Sequence, residues 1–179
     1  VQSCKCLVLS DSTLRMVAKS GTRNFQDKAQ ENFCWRDLQV ILAPGADYYA
    51  KGDAPGMIEK LNEADTEGVE FLYVISNHNG LVKGNGEVLS EMPSDYLVSL
   101  HELCLAAQAC SPVVIFSAGA ASHVWKFGPS WDAYVKIVTT YVRVNFPDFI
   151  IVPQTSFILG ATMHGHSDSA WHMNAEWGN

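Results

Sequence analysis

Hydrophobic residues along the chain fall into five short runs, each bounded by polar, glycine or proline positions. Runs of four to six apolar residues without strict alternation are typical of strands buried on both faces of a parallel sheet. The first, Cys-Lys-Cys-Leu-Val-Leu, stops at a small polar turn, and Pro44-Gly45 stops the second. We therefore predict strands over 4–9, 38–43, 71–75, 112–116 and 149–152.

Stretches with helical spacing separate most of these strands. Leu14, Val17 and Ala18 form one apolar stripe, which Gly21 ends. Later helices are predicted to begin at polar caps and to bury one face, as in the stripe Leu97, Leu100, Cys104 and Ala107. Segment 22–37 has no clear period, and 117–128 reads as a loop. The three later caps are Asp53, Ser94 and Ser130.

Alternating strands and helices predict one α/β domain over residues 1–179. Right-handed crossovers place helices on both faces of a parallel sheet, which gives a three-layer α/β/α architecture. Ligands of such sheets bind at the carboxyl ends of the strands. Polar or glycine residues follow three of the predicted strand ends, and the polar tail follows the fifth. We therefore expect the functional site on this rim.

Ser12 follows the first strand and stands at a predicted helix start, beside free N–H groups. A serine in this position is a candidate nucleophile, and its own N–H can help to hold an oxyanion. The alternative is that Asp11 or Ser12 only caps the helix. Gly45 after the second strand offers an unobstructed N–H. Asn77 or Asn79 after the third strand offers a side-chain amide.

The tail supplies candidate acid–base residues. His172 can act as the general base, because a neutral imidazole accepts a proton near neutral pH. Asp168, four residues earlier, can orient the imidazole if the segment turns. A metal site is the alternative, with the ligand set His164, His166, Asp168 and His172.

These residues resemble the sequence blocks of the SGNH (GDSL-type) hydrolases, in the same order along nearly the whole chain. Residues 10–14 read Ser-Asp-Ser-Thr-Leu, where the family has Gly-Asp-Ser. Gly45 matches the second block, and 76–80, Ser-Asn-His-Asn-Gly, corresponds to Gly-x-Asn-Asp. Residues 168–172 read Asp-Ser-Ala-Trp-His, where the family has Asp-x-x-His. The resemblance implies a five-stranded, flavodoxin-like parallel sheet.

The chain departs from the family pattern at several positions. Ser10 replaces the first glycine, which is tolerable if its backbone is not left-handed. Asn77 and Asn79 are both candidates for the side-chain amide that would hold the oxyanion. One extra residue separates Asp168 from His172, so Ser169 occupies the usual acid spacing. Only seven residues follow His172, where such domains usually have a closing helix, so the chain can be a trimmed domain of a longer protein.

The resemblance implies a serine esterase that works without cofactor or metal. His172 would deprotonate Ser12, and the N–H groups of Ser12 and Gly45 with the Asn77 or Asn79 amide would hold the oxyanion. The substrate would be a small-molecule, carbohydrate or lipid ester. A second hypothesis is an SGNH-like binding or assembly module whose chemistry has decayed, and a third is a metal-dependent hydrolase.

The composition limits the classes of partner that the protein is expected to bind. A formal charge of −7 disfavours nucleic acids and anionic membranes, which bind basic surfaces. No apolar run is long enough to span a bilayer, and no signal peptide is visible, although the chain opens at Val1 without a methionine, so a leader can have been removed. Five cysteines without framework spacing favour reduced thiols and slightly favour an intracellular location. Two further positions have alternative interpretations. Residues 47–49 border the cleft or form an exposed loop, and His101 is interpreted as a surface or hydrogen-bonded histidine.

Overall fold

The five predicted strands all form in a computed structural model of the chain, within two residues of the expected bounds. The strands are β1 (Lys5–Ser10), β2 (Asp37–Leu42), β3 (Val69–Ile75), β4 (Val113–Ser117) and β5 (Ile150–Ile151). Among the described residues the helices are α1 (Met57–Glu63), α2 (Tyr96–Cys110) and α3 (Val124–Asn145), with a 3₁₀ helix over Asn79–Leu81. The helix predicted around Leu14 lies outside the described residues. The structure describes residues 4–10, 37–43, 47–50, 52–75, 79–81, 87–118 and 124–152, and for 79 and 124–132 it describes the backbone alone.

The strands lie in one parallel sheet in the order β2-β1-β3-β4-β5. This is the flavodoxin-like order, and it confirms the predicted architecture. The connections from β2 to β3, β3 to β4 and β4 to β5 all cross the sheet in the same direction. Because such crossovers are right-handed, α1, α2 and α3 are expected on one face. Residues of all three helices share a single hydrophobic core.

β1, an interior strand of the sheet, is buried on both faces, as its apolar run predicted. Leu7 and Leu9 lie in the core with α1 and α2, whereas Val8 and Cys6 point to the opposite face and are also buried. Each leucine side chain removed from water in this way contributes about 1.5–3 kcal/mol. Two-sided burial identifies the sheet as the middle layer of a three-layer α/β/α fold.

All three described helix starts differ from the sequence prediction, that of α2 by one residue, because its N-cap is Asp95 rather than Ser94. α1 begins at Met57 rather than near Asp53, because the N–H groups of Met57 and Ile58 donate to the carbonyls of Asp47 and Tyr48. Backbone of the preceding loop therefore caps this helix, and no side-chain cap is needed.

α3 begins at Val124, six residues before the expected cap at Ser130. It runs through Gly128, the last residue of the predicted loop, and through Pro129. Pro129 is the sixth residue of this helix, where a proline has no N–H to donate to the carbonyl four residues earlier. Among the described residues, no helix is long and apolar enough to cross a membrane.

Candidate functional site

Three neighbouring strands end in one row at the carboxyl edge of the sheet. Ser10, the last residue of β1, pairs in register with Leu42 of β2 on one side and with Ile75 of β3 on the other. Adjacent strands lie about 4.8 Å apart, so these three ends fall within about 10 Å. The chain leaves β1 toward β2 and later returns on the far side of β1, so the row is the topological switch point of the sheet.

Each of these strand ends leads directly to a candidate residue. Ser12 follows Ser10 by two positions, and Asn77 follows Ile75 by two. Pairing of β1 with β2 continues one residue further, because the Ala43 N–H donates to the Ser10 carbonyl over 2.9 Å, and Gly45 comes two residues later. The candidates that lie outside the described residues are Ser12, Gly45, Asn77, Asp168 and His172, together with the alternative metal ligands His164 and His166.

Ser10 occupies the position of the family's glycine without backbone strain, because it is the last residue of an extended strand. Its side chain is fully buried, and within the described part of the chain its Oγ has no hydrogen-bond partner. A buried hydroxyl without a partner costs about 1–3 kcal/mol. Ser117 lies in the same row beyond Ile75, and its Oγ is 2.8 Å from the Tyr73 hydroxyl.

Asn79 is the first residue of the 3₁₀ helix, four positions after the end of β3. Gly80 fits this helix tightly against two other segments: a Cβ added there would lie 3.0 Å from Asp47 Oδ1 and 3.0 Å from Tyr96 Cε2. The loop after β2, the 3₁₀ helix after β3 and the start of α2 therefore meet at Gly80.

Tyr48 and Tyr96 join two of these segments through their side chains. Their hydroxyl oxygens are 2.8 Å apart, so one donates to the other, and their ring centroids are 5.1 Å apart. Both residues are buried, at 2% and 6% exposure. Tyr49 next to them is 41% exposed, so segment 47–49 is buried at Tyr48 and exposed at Tyr49.

A second contact holds the other end of the 3₁₀ helix. The Leu89 N–H donates to the Leu81 carbonyl over 2.9 Å, and the Tyr134 hydroxyl of α3 donates to the Leu89 carbonyl over 2.6 Å. Burial, and to a smaller extent the nearby Glu91 carboxylate, raises the pKa of Tyr134. Its hydroxyl therefore stays a donor well above neutral pH.

Sequence reasoning did not identify the pairing of Tyr48 with Tyr96. The two residues are 48 positions apart, and neither belongs to a motif. Gly80, by contrast, closes the third sequence block, although its packing against Asp47 and Tyr96 carries no local signal. His101 is confirmed as a hydrogen-bonded histidine, because its Nδ1 lies 3.1 Å from the Tyr141 hydroxyl and its ring packs on Phe146.

The described cysteines are not poised as nucleophiles. Burial is the larger cause, and the nearby Cys4 the smaller one, that together raise the pKa of Cys6 to about 11. Burial also raises the pKa of Cys104 to about 12. Both thiols are therefore protonated at neutral pH, whereas a nucleophilic cysteine needs a thiolate. Across the described ranges, no group of three or more His, Cys, Asp or Glu side chains could bind a metal ion.

Comparisons with known proteins identify solved structures that share the fold of the chain. No family model and no curated protein matches the chain. Among solved structures, a member of the lipolytic protein G-D-S-L family from Veillonella parvula superposes with a TM-score of 0.67 at 12% identity, covering 98% of this chain and 92% of that one.

Two esterases of known structure are also similar to the chain. An acetylxylan esterase from Geobacillus stearothermophilus has a TM-score of 0.61 at 12% identity and 97% and 88% coverage. A carbohydrate acetylesterase from Sinorhizobium meliloti has the same score and identity with 98% and 93% coverage. At these identities the likeness concerns the fold alone. The order of the sequence blocks and the backbone therefore agree: the chain has the fold of the SGNH (GDSL-type) hydrolases.

Proposed function

We propose that the chain is a serine ester hydrolase. In this mechanism His172 takes the proton from Ser12 Oγ, which attacks the ester carbonyl carbon. His172 then gives that proton to the leaving alcohol, and water hydrolyses the acyl-enzyme by the same steps. Asp168 orients the imidazole. The substrate is a carboxylic ester of an alcohol, a carbohydrate or a lipid.

One observation supports this proposal above the others: the ends of β2, β1 and β3 form a single row, Leu42, Ser10 and Ile75. The family blocks containing Gly45, Ser12, and Asn77 or Asn79 begin within four residues of that row. Donors from three adjacent strand ends can converge on one oxyanion, which is the arrangement that acyl transfer requires. The fold shared with esterases and a lipolytic protein agrees with the same chemistry.

The oxyanion would be held by the N–H groups of Ser12 and Gly45 and by the side-chain amide of Asn77 or Asn79. Loss of one such donor typically lowers kcat by about 10²–10³-fold. Asn77→Ala and Asn79→Ala, compared side by side, identify the donor: the variant with the larger loss of kcat has lost the amide that contacts the oxyanion.

The proposal is tested by hydrolysis of p-nitrophenyl acetate and butyrate. We expect Ser12→Ala and His172→Gln each to reduce turnover to background, because each removes a group that bonds or transfers a proton. Ser90→Ala and His101→Gln are the matched controls: Ser90 is exposed, and His101 is hydrogen-bonded between α2 and α3. Both controls should retain the wild-type rate.

A fluorophosphonate probe separates an enzyme from a decayed binding module. Stoichiometric labelling of the wild type that Ser12→Ala abolishes would establish the serine as the nucleophile. If the wild type neither labels nor hydrolyses these esters or a longer-chain ester faster than Ser12→Ala, the chain is not a serine hydrolase, and the binding module becomes the working hypothesis.

A further inference from the structure

Tyr48 and Tyr96 form a buried contact between segments that are far apart in sequence. We call these two residues the tyrosine pair. Their hydroxyl groups share a hydrogen bond 2.8 Å long, and their rings pack at an interplanar angle of 53°. A buried hydrogen bond flanked by ring packing fixes both the distance and the orientation of its partners. The segments on either side are therefore held in one relative position.

The first of these segments is the loop after β2. Tyr48 lies three residues after Gly45, and its carbonyl accepts the Ile58 N–H of α1 over 2.9 Å. Gly56 lets the two backbones approach: a Cβ there would lie 2.3 Å from the carbonyl carbon of Tyr49. This loop is thus anchored to α1 by its backbone and to Tyr96 by its side chain.

The second segment is the start of α2, which packs against the 3₁₀ helix after β3. Tyr96 begins α2, and its ring meets Gly80 so closely that a Cβ on Gly80 would lie 3.0 Å from Cε2 and 3.1 Å from Cδ2. The same added Cβ would lie 3.0 Å from Asp47 Oδ1. The tyrosine pair, Asp47 and Gly80 therefore pack as one unit, one residue from Asn79 and two from Gly45.

From this packing we infer that Tyr48 and Tyr96 are positioning residues for the oxyanion donors, an inference that rests on the proposed function. Gly45 precedes Asp47 and Tyr48 in the loop after β2, and the asparagine of the third block precedes Gly80, against which the Tyr96 ring packs. Neither tyrosine is assigned contact with the substrate. Their role is to set the distance between an N–H donor on one loop and an amide donor on the other.

Donor placement affects the transition state more than substrate binding. The negative charge on the carbonyl oxygen develops only as the serine attacks, so a displaced donor weakens the transition state and leaves ground-state binding almost unchanged. A displacement of about 1 Å can cost about 10²-fold in rate. Loosening the tyrosine pair should therefore lower kcat while KM stays constant.

The experiment compares Tyr48→Phe, Tyr96→Phe and the double variant with the wild type in p-nitrophenyl acetate hydrolysis. We expect each single variant to lower kcat by about tenfold or more with KM within twofold. Because both substitutions remove the same hydrogen bond, the double variant should lose about as much as either single variant, rather than the product of the two losses. Endpoint labelling with a fluorophosphonate gives the active fraction and corrects kcat for unfolded protein.

Tyr141→Phe is the matched control. It also removes a tyrosine hydroxyl bonded to a side chain, at 3.1 Å from His101 Nδ1, but near the end of α3 that leads into β5, at the opposite edge of the sheet. Its kcat should equal that of the wild type. An equal fall of kcat in Tyr141→Phe would show that general loosening is the cause and would overturn the inference.

Two failures are distinguishable. Wild-type hydrolysis that depends on Ser12, combined with an unchanged kcat in Tyr48→Phe and Tyr96→Phe, contradicts the positioning role alone. A wild type without Ser12-dependent hydrolysis contradicts the proposed function, and the positioning role with it. Multiplicative losses in the double variant would show that the two hydroxyls act separately, which also contradicts the inference.

Discussion

The Tyr73 hydroxyl lies 2.8 Å from Ser117 Oγ, across the β3–β4 pair and two residues further along the sheet. Both side chains belong to the same sheet face, because Tyr73 pairs with Ile115 and every second residue of a strand shares a face. Ser10 lies in the same row as Ser117, but its Oγ has no hydrogen-bond partner in the described part of the chain. Two equally buried serines therefore differ in hydrogen bonding.

Ser117→Ala should destabilise the protein, and Ser10→Ala should not. Removal of the unpartnered Ser10 hydroxyl should leave the free energy of unfolding unchanged or raise it by about 1 kcal/mol, whereas Ser117→Ala should lower it by about 1 kcal/mol. Urea unfolding at neutral pH measures both values. A loss of stability in Ser10→Ala as large as that in Ser117→Ala would show that the Ser10 hydroxyl is hydrogen-bonded in solution.

Gly56→Ala should destabilise the protein and disturb the loop after β2. The added Cβ would meet the Tyr49 carbonyl carbon at 2.3 Å and the Tyr48 carbonyl oxygen at 2.5 Å, and backbone atoms cannot move aside cheaply. Overpacking of this kind costs about 1–3 kcal/mol. If the proposed function holds, kcat should fall as well, because the Tyr48 carbonyl is displaced.

Gly68→Ala provides the comparison for this prediction. Gly68 has a φ of +71°, and nothing lies within 4 Å of an added Cβ, so the substitution costs only about 1–2 kcal/mol of backbone strain. Because Gly68 precedes β3 at the opposite edge of the sheet, kcat should not change. Gly56→Ala with wild-type kcat and stability would contradict the tight approach of α1 to the loop.

The free energy of unfolding should fall as the pH rises above 9. Burial raises the pKa of Cys104 from 9.0 to about 12 and is the larger cause that raises the pKa of Cys6 to about 11. Between pH 9 and these values the unfolded chain loses thiol protons that the folded chain retains. Each thiol then lowers the free energy of unfolding by up to about 1.4 kcal/mol per pH unit. The stabilisation is complete below pH 9.

Urea titrations at pH 7.5, 9.5 and 10.5 measure this dependence. Cys104→Ala should show a shallower decline than the wild type, because one titrating group is gone. Leu103→Ala, which also removes a buried side chain of α2 and leaves a cavity in the core, should lose the same stability at every pH. Its free energy of unfolding should therefore decline with pH as steeply as that of the wild type. Identical slopes in Cys104→Ala and the wild type would show that this thiol does not titrate with unfolding.

Asp168→Asn and Ser169→Ala test which residue orients His172. A carboxylate stabilises the imidazolium that forms during attack, and a neutral amide does not, so Asp168→Asn should lower kcat by about 10²–10⁴-fold. Ser169→Ala should change kcat less than threefold, although Ser169 stands at the family's acid spacing. The reverse order of effects, measured with p-nitrophenyl acetate, would assign the orienting role to Ser169.

The sequence by itself determined the number of strands, their positions and their parallel arrangement. Apolar runs such as the one ending at Leu9 mark buried strands, because a strand covered on both faces has no polar side to expose. The order of short blocks after successive strands predicted the SGNH-like fold, although the similar G-D-S-L family structure from Veillonella parvula is only 12% identical to the chain in sequence. These features are local, so a linear pattern contains them.

Only the tertiary structure decided how the strand ends and loops meet. The row Leu42, Ser10 and Ile75 depends on β1 lying between β2 and β3. The contact of Tyr48 with Tyr96 spans 48 positions. Hydrogen bonds and close backbone approaches between distant segments leave no periodic trace in a sequence, since each partner is locally an ordinary residue. They form only when packing of the sheet and helices brings those segments together.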